Sequence, residues 1–334
     1  LDADGHDDVA LVAPWMGSAI VVMYGNGDGT FDAPGQSITV GSVNNNVILG
    51  DFDDSGTTDV AVTGGFGFSV LLNDGGRQYH VAATYSLWQT PFQQSGVTND
   101  FDGDGDLDLA LKTVSGIRVM IGNGTGGFTS GPLTNVPFTF PPAIASIDDA
   151  NLNGDGIPDL VAADAATQQV VALRGTGNGG FIVLSRSFVP FAPTTVRAGD
   201  LDHSGRDSVV VMPEASPPGA TVAVLRNNGQ GSLGSPTYYS GGIANPVGEL
   251  GDLNGDGNLD IISTNTFSGD MVVLAGVGNG TFVTGGTFAT YTNAQTPAVG
   301  DFDEDGHTDL VVPSNCPSGG FGGPVCLAVL LNNA

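Results

Sequence analysis

The chain has 334 residues, of which 53 are glycine and only 13% are charged, and its formal net charge is -27. With Lys112 as the sole lysine, the long helices favoured by Ala, Leu, Glu and Lys are poorly supplied, so strands and turns are expected. The acidic balance argues against nucleic acid or an anionic membrane surface as partner and points to bound cations, and no apolar run reaches the ~20 residues that span a bilayer.

In chain order, an acidic nonapeptide comes first and then recurs. Its first copy places Asp2, Asp4 and Asp8 at positions three, five and nine. Later copies start at Asp51, Asp100, Asn151, Asp200, Asp252 and Asp301, roughly fifty residues apart as in a repeat architecture. A short apolar run follows each copy (residues 9–12, 60–62, 109–111, 160–162, 209–211, 261–262 and 310–312) and reads as a buried strand. A second strand then ends in a glycine-asparagine turn, as at 21–31, 119–128 and 272–282, where glycine supplies the positive φ of a tight hairpin. A less regular third segment and a strand leading into the next acidic loop, as at 296–306, complete the unit.

Four antiparallel strands repeated seven times predict an all-β chain, a seven-bladed β-propeller forming one domain over 1–334, because closing into a ring hides the sheet edges. A linear solenoid is the alternative, but neither end carries an atypical capping repeat. The first copy lacks the strand before its loop and the last lacks an outer strand, so the ring is expected to be cut at both termini. A longer parent chain, carrying any export signal, or a neighbouring chain would complete it.

Within the motif, oxygens of Asp100, Asp102, Asp104 and Asp108, with the carbonyl of Asp106, can converge on one cation, and Gly105 permits the sharp turn between them. Oxygen ligands without His or Cys select calcium over zinc, and a flexible loop favours calcium over octahedral magnesium. The seven loops hold 26 of the 35 acidic residues, a concentration that repels itself unless a cation is bound. Asp301, Asp303, Asp305 and Asp309 form an equally complete set. Asn151, Asn153, Asp155 and Asp159, and Asp252, Asn254, Asp256 and Asp260, carry less charge, and Asp51, Asp53 and Asp59 are joined by Ser55. In the fifth loop Asp200 and Asp202 stand with Ser204, Ser208 and Arg206, so that site should be weak or empty.

These loops and their flanking strands resemble the FG-GAP or VCBS repeats of integrin α-subunit propellers and of many bacterial extracellular proteins. The resemblance covers essentially the whole chain. It implies a seven-bladed propeller with calcium in the hairpin between strands one and two of a blade, used in adhesion or ligand binding, although the family also includes propellers attached to enzymes.

Cys316 and Cys326 read as a disulfide clipping one local loop, which suits a secreted or cell-surface protein; a metal pair or two free thiols are the alternatives. No H-E-x-x-H, G-x-S-x-G, P-loop or dinucleotide motif occurs, and His6, His203 and His307 lie in acidic loops at non-ligand positions. An enzyme is therefore not expected. The connections on the face opposite the acidic loops carry Trp15, Phe66, Trp88, Phe92, Phe138, Phe140, Phe191, Phe267, Tyr291 and Phe321, a surface expected to bind a glycan or an extracellular protein, with Trp15 and Trp88 as anchors. A polysaccharide-acting enzyme of the same fold and a structural subunit are the competing readings.

Overall fold

The structure, a computed structural model, describes residues 1–13, 19–33, 35–40, 44–64, 67–87, 96–113, 115–136, 144–213, 222–241, 246–265, 269–292, 294–315 and 325–332. Those residues form strands and turns and no α-helix.

Seven antiparallel sheets follow one another, each in simple sequence order. The first holds β1 (Val9–Ala13), β2 (Ala19–Met23) and β3 (Gln36–Thr39). The second holds β4 (Asn44–Gly50), β5 (Asp59–Gly64), β6 (Gly67–Gly75) and β7 (Gln78–Ser86). The third runs β8 (Gly96–Asn99), β9 (Asp108–Thr113), β10 (Gly116–Gly122) and β11 (Phe128–Thr134), and the fourth β12 (Ile144–Ala150), β13 (Asp159–Asp164), β14 (Gln169–Gly175) and β15 (Phe181–Phe188). The fifth has β16 (Pro193–Gly199), β17 (Ser208–Pro213), β18 (Val222–Leu225) and β19 (Thr237–Tyr239). The sixth has β20 (Pro246–Gly251), β21 (Asp260–Asn265), β22 (Asp270–Gly276) and β23 (Phe282–Ala289), and the seventh β24 (Ala298–Gly300), β25 (Asp309–Asn315) and β26 (Val325–Leu330). The chain is an all-β, seven-bladed propeller. Among the described residues five of its sheets have four strands and the first and last have three.

Burial explains the sequence pattern. β5, β9, β13, β17 and β21 are buried along their whole length because blades stack on both faces, so they read as continuous apolar runs rather than alternating ones. The outer strands β7 and β23 are mostly exposed. The core is a set of clusters between neighbouring blades, such as Leu152, Val161, Val170, Val209, Val211 and Leu225 between the fourth and fifth. The first strands of the four-stranded blades and of the last blade touch one another in turn, from β4 to β24, and so surround an axis. Val9, Phe302 and Val311 close the ring between the last blade and the first. Beside β26 a groove of about 580 Å³ is lined by Leu253, Met271, Val273, Phe288, Leu330 and Leu331.

Candidate metal centres

Each acidic loop after the first is the turn of one hairpin. Register places Gly50 opposite Asp59, Asn99 opposite Asp108, Ala150 opposite Asp159, Gly251 opposite Asp260 and Gly300 opposite Asp309, so position nine opens the second strand of the blade. The turn is tight because positions four and six are left-handed in every copy. Gly103 and Gly105 show this at φ 84° and 100°, and Asp54 and Glu304 hold the same conformation without being glycine. That backbone points its amides inward. Position one collects them: Asp51 accepts from Ser55 N (3.0 Å) and Gly56 N (2.8 Å), Asp100 from Gly103 N (2.7 Å) and Gly105 N (3.0 Å), Asp301 from Asp305 N (3.1 Å) and Gly306 N (3.0 Å).

Position nine does something the repeat pattern did not reveal. The buried Asp108 carboxylate accepts Phe101 N at 3.0 Å on one oxygen and Gly122 N at 2.8 Å on the other, tying the loop to the end of β10. Asp59 (Phe52 N, Asn73 N), Asp159 (Leu152 N, Gly175 N), Asp260 (Leu253 N, Gly276 N) and Asp309 (Phe302 N, Asn332 N) repeat the clamp at 2.7 to 3.1 Å. Each carboxylate oxygen still has a second lone pair for a cation. Burial raises the Asp59, Asp159 and Asp260 carboxyls above the ordinary carboxylate range and pushes Asp108 up to about 6, against the pull of the two amides.

Position two was also unread. It is always Phe or Leu in the described loops from Phe52 to Phe302, packs into the next blade, and has its carbonyl held there. Gly126 N donates to Phe52 O (2.7 Å), Gly179 N to Phe101 O (2.9 Å), Asn227 Nδ2 to Leu152 O (2.7 Å), Gly280 N to Leu201 O (2.8 Å) and Gly29 N to Phe302 O (2.9 Å). Asn73 and Asn332 do the same for Leu1 and Leu253. Six glycine-asparagine turns, and Asn332 after β26, thus dock on the loop of the preceding blade. Aromatic pairs reinforce the contact: Phe52–Phe128, Phe101–Phe181 and Phe302–Phe31 have ring centroids 5.5 to 5.6 Å apart.

FG-GAP-like repeats match residues 100–161, 151–211 and 252–312, just over half of the chain. The chain belongs to the FG-GAP-like repeat family. A search of curated protein sequences found no match. Among solved structures, the chain is similar to an Agrocybe aegerita lectin recognising non-reducing terminal N-acetylglucosamine (20% identity, 93% of this chain and 86% of that one, TM-score 0.56). It is similar also to BBS1N in complex with ARL6DN (13%, 99% and 89%, TM-score 0.65) and to a Bacillus licheniformis rhamnogalacturonan lyase (14%, 88% and 63%, TM-score 0.50). Likeness at these identities establishes the fold alone.

The FG-GAP loops differ in the donor sets they assemble. In loops two, three and seven, carboxylate oxygens of positions one, three and nine lie within 4.8 Å of one another: Asp51, Asp53, Asp59; Asp100, Asp102, Asp108; Asp301, Asp303, Asp309. These all-oxygen sets suit a hard cation such as calcium. Position five stands outside these groups. Asp104 and Asp305 accept the amides of Asp106 and His307 at 2.9 Å, and Ser55 Oγ pairs with Thr57 Oγ1 at 2.8 Å. In loops four and six the Asn and Asp side chains make the same internal turns: Asn153 accepts Asp155 N (2.8 Å) and Asn254 accepts Asp256 N (2.9 Å). Loop five has a cation of its own, for Arg226 Nη2 donates to Asp202 Oδ2 at 3.0 Å and Ser208 Oγ takes only Asn227 N. In loop one Arg77 Nε donates to Asp2 Oδ2 at 2.8 Å, while Asp8 keeps the clamp to Asp2 N and Gly25 N.

Of the aromatic residues expected on the opposite face, Trp15, Trp88, Phe66, Phe92, Phe138, Phe140, Phe267 and Phe321 lie outside the described residues. Tyr291 is 43% exposed. Phe191 is a correction: it is buried against Tyr238 in the core between the fourth and fifth blades, where its area removed from water outweighs a surface role. Cys326 is disulfide-bonded, and Cys316 lies outside the described residues.

Proposed function

We propose that this chain is an extracellular FG-GAP propeller that binds a glycan or protein ligand, with calcium in a structural role and without catalysis. The observation that carries the calcium reading is the coincidence of the carboxylate triads with the inter-blade joints. The residue between the first two ligands in each triad, Phe52, Phe101 or Phe302, is the one that docks on the next blade. A cation there would neutralise three mutually repelling carboxylates and stiffen the joint. The oxidised Cys326 supports an extracellular setting, and similar propellers include one named as a lectin and one solved with a protein partner.

A metal that binds only the folded chain contributes RT ln(1 + [L]/Kd), about 2.7 kcal/mol per site at a hundredfold excess. Thermal unfolding in millimolar calcium should therefore occur at a markedly higher temperature than in chelator. Identical melting curves in the two conditions would reduce the loops to acidic turns. A glycan array and pull-down with the calcium-loaded chain then tests for a ligand.

A further inference from the structure

At the ends of the inner strands away from the acidic loops lies an axial cavity of about 720 Å³, within the usual range of small-molecule sites. β4, β8, β12, β16 and β20 line it, and Lys112 enters from β9. In a chain of charge -27, the only lysine is thus placed inside the ring and is 6% exposed. Its Nζ donates to Ala145 O at 3.1 Å, and among the described residues no carboxylate forms a salt bridge with it. An ammonium has three donors, so two have no partner among the described residues, and burying such a group without a counter-charge is costly.

The rest of the lining sets the kind of counter-charge. Arg197 is already consumed, since its Nε bonds both Glu249 oxygens at 2.9 Å. Asp148 accepts Ala198 N at 2.9 Å, and Ser146 and Thr195 add hydroxyls. One unpaired cation among two carboxylates favours a single negative charge and repels a dianion such as sulfate. The carboxylates and hydroxyls offer hydrogen bonds to ligand hydroxyl groups. We propose that the axial cavity binds a hydroxyl-bearing monocarboxylate of the sugar-acid class, its carboxylate paired with Lys112. Burial lowers the Lys112 ammonium to about 8, so it is charged at neutral pH, and burial raises the neighbouring Asp148 carboxyl to about 7. This rests on the ligand-binding half of the proposed function and not on calcium.

The test is calorimetric titration of the calcium-loaded chain with galacturonate, galactose and inorganic sulfate. At pH 6.5 galacturonate should bind and the other two should not. Raising the pH to 9.5 removes the Lys112 charge and ionises Asp148, and should weaken binding at least tenfold. Lys112→Met, which keeps the volume, should abolish binding with no loss of melting temperature. The pH series on the unaltered chain serves as the second measurement if that variant folds poorly. Galacturonate binding that is matched by galactose, insensitive to pH, or intact in a folded Lys112→Met variant would overturn the assignment. A chain that binds other glycans but not galacturonate also overturns it while sparing the wider reading, whereas one that binds nothing in any screen sinks both.

Discussion

Position nine shows how one residue type serves two ends. A carboxylate at the start of β13, buried and accepting amides of both Leu152 and Gly175, joins a loop to the far end of a hairpin whether or not metal is present. Asp159→Ala should leave two buried donors unpaired, at a cost of about 2–4 kcal/mol. Denaturant unfolding in chelator reads this cleanly, because loop four then has no ion to lose. A loss seen only with calcium present would mean that Asp159 acts as a metal ligand and not as a clamp. The sequence nominated position nine as a ligand. Its second task was hidden because one of the two amide partners, Gly175, lies 16 residues downstream, and only the hairpin register brings it within reach.

The acidic loop is the element that couples blades, and its copies are unequal for a visible reason. Three loops gather carboxylates from positions one, three and nine, while in loop five a guanidinium already sits on Asp202 and a serine replaces the clamp. Long-wavelength anomalous scattering from crystals grown in calcium should therefore give peaks at loops two, three and seven and none at loop five. A full peak in loop five beside an empty loop three would reverse this ranking. The thin donor set of loop five was legible from Ser204 and Ser208, but Arg206 turns instead to the Asn153 carbonyl of loop four, and the guanidinium that meets Asp202, from Arg226 in the turn after β18, could not be assigned from the motif. The apolar second position was in plain view in every copy. Its meaning needed a neighbouring blade to receive it.

At the scale of the whole molecule, the ring is closed without a covalent link among the described residues. Phe302 packs on Phe31 and its carbonyl takes Gly29 N, the same joint that links every other pair of blades but here between residues far apart in the chain. Phe302→Ala should cost about 3–5 kcal/mol as a core truncation. It should also loosen the seam, so that hydrogen exchange rises first in β1 to β3 and β24 to β26. Exchange rising evenly around the ring would show that the seam is no weaker than the other joints.

The repeat by itself determined the number of blades, the strands within them, the loops that carry the acidic side chains and the glycine turns on the same face, because each depends on local pattern and on a period that the chain states seven times. Tertiary structure alone decided which oxygens meet, which arginine neutralises which loop, that Phe191 is core, and that Lys112 faces an axial cavity. Those outcomes depend on which blade stands beside which and how far each is turned. That geometry is set by packing summed over the closed ring, which no fifty-residue window contains.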